Sequence, residues 1–181
     1  MKDAWIQRFF VLGVLILALA SSAGSLSRPS FAKCAAGGEE TAVPDTYTLT
    51  SHFTRVVVVR MKNQVDMLEG LRTAVAREKI KNAVILSGVG SLVSYHVHVV
   101  SNTTFPSTLA YTKEEGPFDL LTTNGYILEG VVHAHISFAN PQKAMGGHLE
   151  PGTRVFTFAI VTLGVLDDAT SLKRFDDKNW R

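Results

Sequence analysis

The sequence predicts an α+β domain on a mostly antiparallel central sheet of about six or seven strands with one main helix. Three observations support this. β-Branched and apolar runs recur between Phe53 and Leu166, Gly-, Pro- and Asn-containing links separate them, and one stretch alone shows strong helical periodicity. Strands joined by hairpin-like links pair antiparallel, and a lone amphipathic helix covers part of such a sheet. A chain of 181 residues has room for one ordinary domain, and 46% hydrophobic with 19% charged residues is a globular composition.

The elements follow in order. "FTRVVVVR" (Phe53–Arg60) is a β-branched strand. Asn63, three residues before Asp66, reads as a helix N-cap with an acidic residue in the first turn. Met67, Leu68, Leu71, Ala74 and Val75 then form one apolar face, with Glu69, Arg72, Arg77 and Glu78 opposite. "NAVILSG" (Asn82–Gly88) reads as a short buried strand closed by a tight turn at "GVGS". That turn lacks the Lys and the following helix of a phosphate-cradling loop. "LVSYHVHVV" (Leu92–Val100) is the next strand, and "SNTTFPSTLAYTKEEGP" reads as a surface loop or weak hairpin. Asn124-Gly125 is a favourable two-residue hairpin turn dividing "FDLLTTNGYILEGVVHAHISFA" into two strands. "TRVFTFAIVTLGVL" (Thr153–Leu166) is the last strand, and Phe118, Tyr126, Phe138, Phe156 and Phe158 are expected in the core or at a subunit interface.

Residues ahead of the domain have another character. Lys2 and Arg8 flank the start of "FFVLGVLILALA" (Phe9–Ala20), whose length suits the apolar core of a secretory signal and falls short of the roughly 20 residues of a membrane span. The expected organisation is a signal peptide over 1–23 with cleavage after Ala20 or Ala23, a linker over 24–50, the domain over 51–168 and a tail over 169–181. The protein is then exported, to a periplasm, an organelle lumen or the medium, and meets a membrane only if the segment stays uncleaved. Cys34 has no second cysteine for an internal bridge, and Lys33 before it argues against lipidation. Cleavage at the third and least favoured small-residue point, after Ala32, takes Lys2, Arg8 and Arg28 but only Asp3, so 18 basic and 16 acidic residues become 15 and 15; cleavage after Ala20 or Ala23 keeps Arg28 and leaves 16 and 15. A mature chain so near neutrality lacks the basic excess by which DNA-binding modules acquire most of their affinity.

Three of the six histidines fall within "HAHISFANPQKAMGGH". Alternation on a strand sends His133 and His135 to one face about 7 Å apart, and Gly146-Gly147 is expected to fold the chain back so that His148 approaches them. Three neutral imidazoles with an open fourth position suit a catalytic zinc, which activates bound water. The competing reading makes them half-buried strand residues, each satisfied by a backbone or hydroxyl partner. His96 and His98 form a second same-face pair, which joins the first only if their strands are neighbours. Glu129 and Glu150 are the nearby carboxylates, and neither has the spacing of a general base beside a metal ligand. Ser137, two residues from His135 on one strand, lacks the geometry of a Ser-His pair.

Together, "ILSGVGSL", "PFDLLTTNGYI", "VHAHISFAN", "MGGHLEPGTRVF" and "VTLG" resemble the plant-and-prokaryote-conserved (PPC) domain family over about Thr54 to Leu166. The pairing of "HAHIS" with "GGHL" is the most distinctive part. The resemblance implies the PPC-domain fold, a homotrimer, and a divalent-metal site, zinc included, at His133, His135 and His148. Where that family usually has an acidic residue after the histidine strand, this chain has Asn140. Plant members bind AT-rich DNA chiefly through a separate "RGRP"-type hook; no such segment is present in this sequence. The leading expectation is an exported, trimeric, non-catalytic protein that binds a metal or small ligand and acts by association with itself or partners. A zinc-dependent hydrolase or lyase using the same histidines is the alternative, and DNA binding by family association is the third.

Overall fold

The computed structural model describes residues 43–180, so the expected signal peptide, its cleavage point, Cys34 and most of the expected linker lie outside the described residues. The described residues form one antiparallel sheet of six strands and one α-helix, followed by two short 3-10 turns. In chain order these are β1 (Phe53–Lys62), α1 (Met67–Arg77), β2 (Ala83–Val100), β3 (Leu109–Leu128), β4 (Val131–Asn140), β5 (Lys143–Leu149) and β6 (Arg154–Leu166). The α+β expectation and the strand number hold.

Sheet order is β1-β6-β2-β3-β4-β5, and β5 also pairs with β2. The length of β2 makes this closure available. Its first part, up to Ser94, pairs with β6, which leaves Val97 and His98 free to accept Leu149 and His148 of β5. The sheet therefore curls until β5 fills the edge of β2 beyond the end of β6. Alternation then separates two faces. Tyr95, Val97, Phe118, Ile136, Phe138 and Leu149 are buried inside, and Met67 and Leu71 of α1 pack among them. The helix starts at Asp66, whose Oδ1 accepts from the backbone N–H groups of Leu68 and Glu69 at 3.1 Å, while its Oδ2 accepts from Gly152 N–H at 2.6 Å. Asn63 is therefore not the cap. Its amide donates instead to the Phe156 carbonyl, because the chain turns through Gln64 and Val65 before the helix can begin.

Three sequence-predicted turns are strand interior. β2 runs through Gly88–Ser91 and absorbs the irregularity as register shifts between Ile85 and Ser87 and between Gly90 and Leu92. β3 runs through Asn124-Gly125, and the actual β3–β4 turn is Glu129-Gly130, where both φ angles are positive, 49° and 84°. That is what a two-residue hairpin of matching twist requires. Gly125 answers a different demand: a Cβ there would lie 2.1 Å from the His133 carbonyl oxygen, so glycine lets β3 and β4 approach. The third is in "NPQKAMGG", which turns at Pro141-Gln142, with Asn140 Oδ1 accepting from both Gln142 and Lys143 N–H groups at 3.0 Å. Gly146-Gly147 lies within β5. The stretch after β2 is a hairpin whose loop ends by Thr108, since β3 begins at Leu109.

Phe118 and Phe138 are core residues, whereas Tyr126, Phe156 and Phe158 are exposed on the outer face. After β6 the chain folds back along the β3–β4 turn. Buried Asn82 ties the two together: its amide donates to the Thr170 carbonyl at 2.7 Å and its Oδ1 accepts from Glu129 N–H at 2.9 Å. Among the described residues no helix is long and apolar enough to cross a membrane.

Candidate metal centre

Cross-strand register builds the site. On β4 the inward residues Val132, Ala134, Ile136 and Phe138 are buried, which sends His133 and His135 to the outer face. His135 stands opposite His148 of β5, and His148 stands opposite His98 of β2. The third histidine thus arrives as the residue of a strand inserted between β4 and β2. Gly147 permits that insertion, because a Cβ on it would sit 2.7 Å from the His98 carbonyl oxygen.

The ligand atoms of His133, His135 and His148 all lie within 4.8 Å of one another. Their ring centroids are 5.6 Å (His133–His135), 4.8 Å (His133–His148) and 5.1 Å (His135–His148) apart. No ring nitrogen of the three has a hydrogen-bond partner among the described residues, unlike those of His96 and His98. Burial holds the His148 imidazole down to about pKa 4, with neighbouring His133, His98 and His135 adding to the effect. Burial, then His133 and His98, lowers His135 as well. Neutral, unpartnered imidazoles suit cation binding. Tetrahedral coordination at 2.0–2.1 Å sets ligand nitrogens about 3.3 Å apart, so closing the widest gap takes about 1.5 Å shared between two rings. The donor set fits a borderline-soft divalent ion and leaves a fourth position to a ligand or water.

The second histidine pair divides. His98 reaches the cluster, with its ring 4.6 Å from that of His148 and tilted by 31°. Its Nδ1 donates to Glu150 Oε1 at 2.6 Å, which leaves Nε2 as the free nitrogen. His96 donates from Nδ1 to the Pro151 carbonyl at 2.7 Å and lies against Tyr111, with ring centroids 5.9 Å apart. Ser137 also lies on the outer-face row of β4, opposite Gly146. Glu150 is the carboxylate whose place beside the site sequence reasoning missed. The signal was available, since Glu150 is two residues beyond His148 and so shares its face, but its partner stands on β2.

Tyr126 was missed as well. It pairs with His133 across β3–β4, and both line an outer-face cavity of about 500 Å³ closed on one side by the C-terminal segment.

A curled antiparallel sheet with a histidine cluster on its outer face defines a small β-rich domain with a built-in candidate cation site. The chain belongs to the Plants and Prokaryotes Conserved (PCC) domain family, whose sequence profile matches residues 49–167; this is the family, abbreviated PPC above, that the motifs resemble. Solved structures agree on the fold. A PPC protein from Pyrococcus horikoshii is 23% identical, with 66% of this chain and 85% of that one covered at a TM-score of 0.56. A metal-containing protein from Archaeoglobus fulgidus is 16% identical, with 66% and 86% covered at 0.59. A protein from Salmonella cholerae-suis is 24% identical, with 66% and 81% covered at 0.55. No curated protein matches the sequence.

Proposed function

We propose that this PCC-domain protein holds a divalent metal ion, zinc by its donor set, at His133, His135 and His148, and acts as an exported homotrimer that binds a ligand at that centre. The observation that carries the metal reading is the convergence of three unpartnered imidazoles within 4.8 Å. The metal-containing description of the Archaeoglobus protein agrees with it. Assembly is supported by the outer face beyond the site, where Val58, Val89, Leu121, Phe156 and Phe158 are all exposed. Exposed apolar side chains gathered on a sheet face are the kind of surface that protein–protein contacts cover. Export rests on the apolar run Phe9–Ala20.

Metal analysis of the protein purified without chelators tests the centre. About one ion per chain is expected, with loss in His133→Ala and His148→Ala. No stoichiometric metal, and none that loads on addition, overturns the reading.

A zinc-dependent hydrolase or lyase is the second reading, favoured by the open fourth position and by the cavity that reaches His133. A bound zinc ion would supply Lewis acidity towards a ligand oxygen. The chain's own residues would orient that ligand, with Tyr126 beside His133 and the hydrogen-bonded His98–Glu150 pair beside His148. DNA binding is the third reading, and this sequence contains no hook segment to carry it.

A further inference from the structure

One row of outer-face residues crosses five strands and ends at the metal centre. Phe53 of β1 lies with its ring over Gly164 of β6, where an added Cβ would come within 2.6 Å of it. Gly164 pairs with Val84 of β2, Val84 with Tyr126 of β3, and Tyr126 with His133 of β4. The next row holds the remaining histidines, with His135 opposite His148 and His148 opposite His98. Phe53, Val84, Tyr126 and His133 of the first row are the floor of the 500 Å³ cavity, and its sides include Leu49, Leu128, Leu166, Leu172 and Phe175.

The side formed by the C-terminal segment is fastened. Ser51 and Thr170 hydroxyls hydrogen-bond at 2.7 Å, and Glu129 Oε1 accepts from Leu172 N–H at 3.2 Å and from the Ser171 hydroxyl at 3.3 Å. Leu172 is only 4% exposed, so the segment is packed down. Volume, concavity and a mainly apolar lining with a few polar side chains are the attributes of a small-molecule site.

We infer that this cavity is the specificity pocket of the centre and takes a small molecule with an aliphatic or aromatic body and one oxygen-bearing head group, the body over Val84 and Phe53 and the head at His133. The inference rests on the metal reading for its head-group half alone. The lining is mainly apolar, its polar side chains being Ser51 and His52 just ahead of β1, Asp176 in the C-terminal segment, and Tyr126 and His133 on β3 and β4. The body is therefore what the protein selects, and the head is what the centre binds.

The two halves are separable by experiment on the full chain. Straight-chain alcohols from butanol to octanol, titrated into metal-free protein and followed by methyl NMR, probe the cavity alone. Each added methylene should tighten binding about fourfold, with shifts concentrated at Val84, Leu128, Leu166 and Leu172. Equal affinity for butanol and octanol, or shifts elsewhere, overturns the pocket, and that includes the case in which residues ahead of Val43 fill it.

Acetohydroxamate and octanohydroxamate, titrated into zinc-loaded protein, probe the link to the centre. Octanohydroxamate should bind at least 100-fold tighter than acetohydroxamate, and Leu49→Trp should remove that gain while leaving acetohydroxamate affinity and metal content unchanged. Phe175→Ala, at a half-exposed wall position, should reduce the gain without filling the cavity. Hydroxamates of equal affinity on a protein that does hold zinc refute the inference and leave the metal reading intact. A protein that holds no zinc refutes the metal reading, and the alcohol series still decides the pocket.

Discussion

Gly125 offers a sharp test of how the histidine strand is held. Its φ is +134°, and an alanine Cβ would stand 2.1 Å from the His133 carbonyl oxygen and 3.0 Å from Ala134 Cα. Both near atoms are backbone, so no side chain can swing away, and β3 and β4 must part where Gly125 pairs with Ala134. Overpacking of this kind costs about 1–3 kcal/mol, and a left-handed backbone adds about 1–2 kcal/mol for an L-residue. Gly125→Ala should therefore lose about 2–5 kcal/mol.

Gly130→Ala is the control, because Gly130 has a φ of +84° but nothing within 4 Å of an added Cβ. It should lose only the backbone part, about 1–2 kcal/mol. In urea unfolding of the metal-free protein, with a slope of about 2 kcal/mol per M, Gly125→Ala should lower the midpoint by about 1–2.5 M and Gly130→Ala by about 0.5–1 M. Equal midpoints for the two variants refute the close-approach argument and return Gly125 to the role of an ordinary turn glycine.

Asp66→Ala removes a cap that serves two N–H groups of α1 and one of Gly152, so thermal unfolding should show a loss of about 1–2 kcal/mol, partly restored in Asp66→Asn. The pH dependence of the metal-free protein follows from His148. Its folded pKa, about 4, lies below its ordinary value, so between those values the unfolded chain binds a proton that the native chain refuses. Stability should be full above pH 6.5 and decline as pH falls towards 4, and His135 acts in the same direction. A midpoint that is flat across that window in wild type, or that still falls in His148→Gln as it does in wild type, contradicts the assignment. Val89→Glu, on the exposed apolar face, should dissociate the proposed trimer in size-exclusion chromatography with light scattering and leave the far-UV spectrum unchanged. A wild-type protein that runs as a monomer removes that reading.

Local pattern was enough for part of this protein. Periodicity alone placed the apolar face of α1, because Met67, Leu71 and Val75 return to one side of any helix they form. Alternation alone put His133 and His135 on one face, since that follows from the pleat whatever the strand's neighbours. Turn chemistry misled, because Gly90, Gly125 and Gly147 have the composition of turns while their sites are strand positions where a Cβ would meet another strand. That restriction comes from a partner distant in sequence, so no local window contains it.

Tertiary structure also decided that His98 but not His96 reaches the cluster, that Glu150 holds His98, and that Tyr126 and His133 share a cavity. Each depends on strand order and on β5 closing against β2, which the long-range register fixes. The sequence by itself determined which side chains face together on each strand. Only the curled sheet determined which strands bring those faces to a single point, because pairing energy is spent between segments that the linear order keeps apart.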